Sequence, residues 1–258
     1  MDNPSITLFT CPKAFTGDTV RLQANAVRSW KALATVEEIV LVGDDPGVAA
    51  FCEDEQVTWG GAVQRNVYGT PLLDSIFELG EAIAQTEWVA YVNADILLLD
   101  DFGAAVIRCA EAFPHFLMSG QRFNGDLPND AWIGAEGIAP ALYDWMKRHS
   151  VPEGAQAADY FVWRKGDLGD IPPFALGAFR WDNWLLDRPR QLGFPLVDAT
   201  DAVFDVHQNH APRPRVAGDV ELHGNDWLVS QHGGRLGRLT DADYRMEADG
   251  TLVALERI

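Results

Sequence analysis

The stretch Trp88 to Asp101, WVAYVNADILLLDD, constrains the fold of this chain more than any other. An apolar run from Trp88 to Val92 breaks at Asn93-Ala94-Asp95, then resumes before Asp100 and Asp101. Short unbroken apolar runs rich in aromatic and β-branched residues read as strands buried on both faces, the kind found in sheets covered by helices. In open α/β sheets, chemistry gathers in the crevice outside the carboxyl ends of such strands. Asp95 therefore falls where a buried strand opens, and a carboxylate there is costly unless it is paired or holds a cation. Helix capping or a strand-end turn accounts for Asn and Asp at such a place equally well.

The flanking sequence repeats the theme. Ser5 to Thr10 predicts a first strand, broken by Cys11-Pro12, and Val20, Ala24, Val27 and Ala34 recur at helical spacing after it. Glu38 to Val42 predicts a second strand ending at Gly43-Asp44-Asp45, with a short helix from Pro46 to Phe51 and a brief third strand over Val57 to Trp59. Gly60 to Thr70 reads as loop and carries Arg65; Pro71 then opens an amphipathic helix with Leu72, Ile76, Leu79, Ala82 and Ile83 on one stripe. A helix from about Gly103 to Ala112 and a strand over Phe116 to Ser119 complete the series. Alternating strands and helices predict an α/β fold with a mainly parallel, Rossmann-related sheet flanked by helices.

The rhythm then loosens. Gly120 to Ala135 reads as loop, Ala139 to His149 as helix and Tyr160 to Trp163 as strand. A helix is expected to begin near Asn183-Trp184, and strands over Leu196 to Asp198 and Ala202 to Val206, the second stopping at His207-Gln208-Asn209-His210. From Pro212 the chain is polar and dotted with glycine, and is read as a small packed hairpin; closing over the donor, which His223, Asn225 and His232 would permit, is the alternative.

A net charge of -18 argues against nucleic acid and anionic membranes as partners, since both need a basic surface. It leaves a nucleotide ligand open, because a bound divalent cation reverses the local field. Cys11, Cys52 and Cys109 form no CxxC pair, so neither a disulfide framework nor a zinc site is expected. No apolar run approaches the roughly 20 residues that span a bilayer, and the first residues lack a basic, then apolar, leader; a cytoplasmic location is the expectation. A phosphate loop, a G-x-G-x-x-G fingerprint and a G-x-S-x-G elbow are all absent, which removes the commonest triphosphatase, dehydrogenase and esterase readings.

Several acids and histidines lie at the ends of apolar runs: Asp44 and Asp45, Asp95, and His207. An Asp and a His from different strand ends, completed by a diphosphate, suit Mn²⁺ or Mg²⁺; the plainer role for His207 and His210 is a structural hydrogen bond. Asp182 stands among Phe179, Trp181, Trp184 and Leu185, where a carboxyl pKa should rise and suit a general base; capping a helix is its alternative role. Asp159, just ahead of a strand, is a candidate for holding an acceptor hydroxyl.

Taken in order, these residues resemble the glycosyltransferases of the GT-A fold, the nucleotide-diphospho-sugar transferase superfamily. NADI followed by a late HQNH is similar to a bacterial-type branch of it. The usual Asp-x-Asp reads here Asn93-Ala94-Asp95. The resemblance implies Asp95 and His207 as ligands of a divalent cation, with Thr10, Asp44, Asp45, Arg65 and Asn93 on the donor side. Arg65 would neutralise the departing diphosphate. It further implies Asp182 as the base of an inverting transfer and Asp159, Trp181 and Trp184 against the acceptor. Donor and acceptor would be a nucleotide-diphosphate sugar and a hydroxyl-bearing molecule, as for a hexosyltransferase. Residues 1–211 would form the catalytic domain, its nucleotide-binding half ending near 101, with 212–258 as an extension packed on it. A non-catalytic nucleotide- or carbohydrate-binding protein, or a sugar-phosphate nucleotidyltransferase, is the alternative; the latter should carry a G-x-G-x-R loop where Thr10-Cys11-Pro12-Lys13-Ala14 stands.

Overall fold

The computed structural model describes residues 4–128, 131–210 and 217–256. Strand and helix alternate through β1 (Ile6–Thr10), α1 (Asp18–Lys31), β2 (Val36–Val42), α2 (Val48–Glu55), β3 (Thr58–Gly61), α3 (Leu73–Ile83) and β4 (Trp88–Val92). A two-residue β5 (Ile96–Leu97), α4 (Asp100–Ala112), β6 (Leu117–Ser119), β7 (Phe123–Gly125), α5 (Pro140–His149), β8 (Ser150–Pro152) and β9 (Tyr160–Arg164) follow. The chain ends with α6 (Trp181–Leu192), β10 (Leu196–Asp198), β11 (Val206–Gln208), α7 (Asp219–Gln231), β12 (Tyr244–Met246) and β13 (Leu252–Ala254).

Among the described residues, nine strands form one sheet in the order β13-β12-β10-β6-β9-β4-β1-β2-β3. β1 pairs parallel with both β2 and β4, and β2 parallel with β3. β9 runs antiparallel between β4 and β6, and β13 antiparallel to β12. Every side chain of β1 and β4 is buried, as unbroken apolar runs require of strands covered on both faces. One face packs Trp30, Phe102 and Tyr160; the other packs Phe9, Phe77, Trp163 and Trp184. Gly80 lets α3 lie directly on that second face, since a Cβ there would stand 2.4 Å from the Phe9 ring. Among the described residues, no helix is long and apolar enough to cross a membrane.

Three expectations need correction. The loop read into Gly120 to Ala135 contains β7, which joins β5, β11 and β8 in a second, four-stranded sheet. Most of the strand read into Ala202 to Val206 has no regular structure, and the strand proper is Val206–Gln208, so His207 lies inside it. The polar stretch after Pro212 holds a 13-residue helix, α7, as well as a hairpin. That hairpin, β12 with β13, extends the large sheet beside β10.

Candidate active site

Because β4, β1, β2 and β3 run parallel, their carboxyl ends lie in a row. Asn93, Thr10, Asp44 with Asp45, and Arg65 all stand at or beyond those ends. Thr10 is fully buried, and its hydroxyl has no hydrogen-bond partner among the described residues. Arg65 donates from Nη2 to Asp44 Oδ1 at 3.1 Å and Asp45 Oδ2 at 2.6 Å, and from Nη1 to the Gly69 carbonyl at 2.9 Å. The guanidinium assigned to the diphosphate is thus already committed to two acids assigned to the donor. Trp59, which carried no assignment, stands 48% exposed beside them and donates its indole N–H to the Gly43 carbonyl at 2.9 Å.

Past β4 the chain turns at Asn93-Ala94-Asp95, with the Ile96 N–H bonded to the Asn93 carbonyl at 3.1 Å. It re-enters as β5, paired antiparallel with β11 so that His207 sits opposite Ile96. This register brings His207 to Asp95: Nε2 lies 3.8 Å from Asp95 Oδ2, and His210 Nε2 lies 3.2 Å from the same oxygen. One ligand atom from each of Asp95, His207 and His210 falls within 4.8 Å of the others. Gln208 locks the arrangement from beneath, donating its backbone N–H at 3.2 Å and its amide at 3.1 Å to the Asp95 carbonyl. Its amide oxygen accepts from Asn25 at 3.2 Å. Burial opposes the charged Asp95 carboxylate, but the His210 hydrogen bond and the nearby His207 outweigh it and hold its pKa below the usual range. Burial pushes the His207 pKa down, against the pull of Asp95.

Asn93, in the place of the first acid of the motif, does structural work. Its amide donates to Asp159 Oδ1 at 2.6 Å, its carbonyl oxygen accepts from the Tyr91 hydroxyl at 3.2 Å, and its N–H bonds the Asp159 carbonyl at 2.9 Å. The other Asp159 oxygen accepts from Arg122 Nη1 at 2.8 Å. Both oxygens of Asp159 are therefore occupied and the residue is buried, which fits a strut better than a contact for an acceptor hydroxyl. Asp205, just ahead of β11, is wholly buried; burial first and the Asp159 charge second push its carboxyl well above the ordinary range.

Asp182 lies in the first turn of α6, which begins at Trp181 and is led by Arg180, not capped by Asp182 itself. Burial raises its pKa to about 6, with Asp159 adding to the rise while the Asn183 N–H, bonded at 2.9 Å, opposes it. Trp181 packs edge-on against Tyr91 at 5.6 Å between centroids, which places the start of α6 beside the strand that ends at Asn93. Asp159 acts on both Asp182 and His207, and so stands electrostatically between the two ends of the site. Trp181 and Trp184 are buried at 5% and 1% exposure, so neither indole offers a face to an acceptor; both are core, Trp184 packing on Phe174. Two residues without an assignment, His210 and Arg122, emerge as part of the site. The His at a short remove from His207 was visible in the sequence, whereas nothing near Arg122 marks it.

No protein-family model and no curated protein sequence matches the chain. Among solved structures it is similar to S. aureus TarS 1-349 in complex with UDP-GlcNAc, with a TM-score of 0.57 at 9% identity over 88% of this chain and 66% of that one. The S. aureus TarS structure superposes with a TM-score of 0.50 at 10% identity, over 80% of this chain and 37% of that one. The chain spans just under two thirds of the length of TarS 1-349. The likeness is one of architecture, and the fold is GT-A-like: a large, mainly parallel sheet flanked by helices, with candidate site residues at its carboxyl ends.

Proposed function

We propose that this chain is a glycosyltransferase, moving a sugar from a nucleotide-diphosphate sugar to an acceptor hydroxyl with a divalent cation, by inversion. The observation that carries the reading is the convergence of Asp95, His207 and His210 at the carboxyl end of β4, in a site otherwise rich in acids. Asp159, Asp182 and Glu153 stand nearby, with Arg122 and Lys13 as the neighbouring cations, so added positive charge would ease the entry of a diphosphate. One carboxylate and two imidazoles make a donor set that suits Mn²⁺ better than Mg²⁺, which prefers oxygen ligands throughout. Bound there, the cation would neutralise charge developing on the nucleoside diphosphate.

The protein's own chemistry centres on Asp182. As a carboxylate it takes the proton of the acceptor hydroxyl while that oxygen attacks the anomeric carbon from the face opposite the diphosphate. The bond from the anomeric carbon to the diphosphate oxygen breaks, and its electron pair leaves with the nucleoside diphosphate. A pKa of about 6 leaves Asp182 ionised at neutral pH yet more basic than a solvated carboxylate. TarS in complex with UDP-GlcNAc, on a like fold, makes uridine diphosphate sugars the first donors to try.

A non-catalytic nucleotide-sugar-binding protein is the second reading, favoured by Asn93, whose side chain is engaged by Asp159 and Tyr91. A panel of nucleotide sugars with Mn²⁺ separates the two. The expected result is slow donor hydrolysis that Mn²⁺ stimulates and Asp95→Ala abolishes. Binding of donor with no turnover, with or without a range of acceptors, would favour the second reading.

A further inference from the structure

α7 lies outside the part of the chain that carries the cation ligands and the base, yet its buried face is polar. Glu221 and Asn225, one helical turn apart, are its buried side chains, at 6% and 1% exposure. Buried polar groups on a helix are costly unless each finds a partner, so their contacts show what the helix is for. Asn225 Oδ1 accepts the Ala175 N–H at 2.9 Å, and its amide faces the carbonyls of Ala175 at 3.2 Å, Ala178 at 3.3 Å and Phe179 at 3.2 Å. One side chain thus holds the whole loop that leads to Asp182. The next residue, Asp226, takes Arg180 Nε at 2.6 Å.

Arg180 is the last residue before α6 and sits at φ 99°, ψ -34°, a region L-residues enter only when their surroundings hold them there. Just past Asp182, the chain beyond α7 grips Asn183: the Gly237 N–H donates to the Asn183 carbonyl at 2.8 Å, and the Asn183 amide donates to the Gly237 carbonyl at 3.1 Å. Gly237 admits no side chain, since a Cβ would stand 2.8 Å from the Asp187 nitrogen of α6. At its other foothold, Glu221 Oε1 accepts from Asn66 at 2.8 Å, in the loop that carries Arg65.

We propose that α7 is a positioning element for the catalytic base: Asn225 and Asp226 fix the 175–180 loop and its strained Arg180, so that Asp182 is presented at one place on the first turn of α6. The inference rests on the reading of Asp182 as the base. Asn225 touches neither substrate nor the reacting atoms; it acts through the loop.

The test compares the 258-residue protein with Asn225→Asp and Asp226→Asn. The first keeps size and the acceptor for Ala175 but sets an oxygen against three carbonyls; the second releases Arg180 from an exposed position. Hydrogen–deuterium exchange over residues 175–186 is expected to quicken in both. In Asn225→Asp, kcat should fall on the order of tenfold to a hundredfold with donor affinity within about threefold. The acid limb of its kcat profile should move to lower pH as Asp182, which faces Asp159, gains solvent. Asp226→Asn should show the same changes, each smaller. Unchanged exchange over 175–182 in a folded Asn225→Asp protein overturns the proposal, as does a loosened loop with wild-type kcat and pH profile. If Asn225→Asp does not fold, Asp226→Asn decides on the same two readouts. Should the wild-type protein neither bind nor turn over any nucleotide sugar, the transferase reading falls while the exchange result still decides whether α7 holds the loop.

Discussion

Two aspartates mark the two ends of the site, and the protein sets them in opposite directions. Asp95, beyond the end of β4, is half-buried but flanked by His207 and His210, and its carboxyl is held below the ordinary range. Asp182, on the first turn of α6, is half-buried, and the loss of solvent together with the charge of Asp159 raises it to about 6. On the proposed reading, the same side chain would serve as an anion kept ready for a metal at one end and as a proton acceptor at the other. Environment, not residue type, divides the labour.

That contrast can be broken most forcefully at the cation end. Asp95→Ala should abolish Mn²⁺-dependent donor binding and lower turnover by at least about a thousandfold, roughly 4 kcal/mol of transition-state stabilisation. Calorimetric titration of Mn²⁺, then rates, checks it; a variant that still binds Mn²⁺ normally would move the cation away from Asp95. His210→Ala should weaken Mn²⁺ by about tenfold to a hundredfold, because two ligands would remain. Equal affinity in this variant would leave His210 as a hydrogen-bond partner only.

At the base end, Asp182→Asn should cost about a hundredfold to ten-thousandfold in kcat while donor affinity stays put. Wild-type kcat should rise through an acid limb centred near pH 6, the value to which burial raises this carboxyl, and the limb should vanish in the variant. A profile flat from pH 5 to 8 in the wild type would remove Asp182 from the proton transfer.

The same shift predicts a stability effect of opposite sign. A carboxyl whose folded pKa lies above its ordinary one binds more protons in the native state, so ionising it costs stability. The cost is absent below the ordinary pKa and grows as pH rises through about 6. Asp182→Asn should therefore melt like wild type near pH 4 and be more stable by about 1–3 kcal/mol at pH 7.5, allowing for partial solvent screening. Thermal unfolding across that range measures it, and a constant gap between the two proteins would contradict the burial of the charge.

How far the sequence reveals these two ends differs for a physical reason. β1, β2 and β4 are held by apolar burial, which leaves its mark as unbroken runs, so Asp44, Asp95 and the row of strand ends could be read directly. The raised pKa of Asp182 could be read as well, from the apolar residues around it in the sequence. β7, β8 and β11 are three-residue strands in a partly exposed sheet, too short for an alternation to register. α7 escaped because its buried face carries Glu221 and Asn225 in place of a hydrophobic stripe. Arg122 and the occupied state of Asp159 depend on pairing across distant segments, which no local pattern encodes. Trp181 and Trp184, expected against the acceptor, are core, since an aromatic's exposure is set by the helix that turns it inward.

The smallest effect sharpens the comparison most. Asn93→Asp restores the usual Asp-x-Asp and adds a negative charge near Asp95, which should draw the cation. It also replaces the amide that donates to Asp159 Oδ1 at 2.6 Å, setting two carboxylates against each other. Asp159 and its Arg122 partner would then shift, or one of the two acids would keep a proton. These effects oppose, so Mn²⁺ affinity at pH 7 should change by less than about tenfold, roughly 1.4 kcal/mol in either direction. A larger gain would mean that residue 93 reaches the cation when it is acidic and that the present cation end is an incomplete one. A result within tenfold means the Asn93 amide serves the bond to Asp159, leaving Asp95 as the acid of the cation end and Asp182 as the acid of the base end.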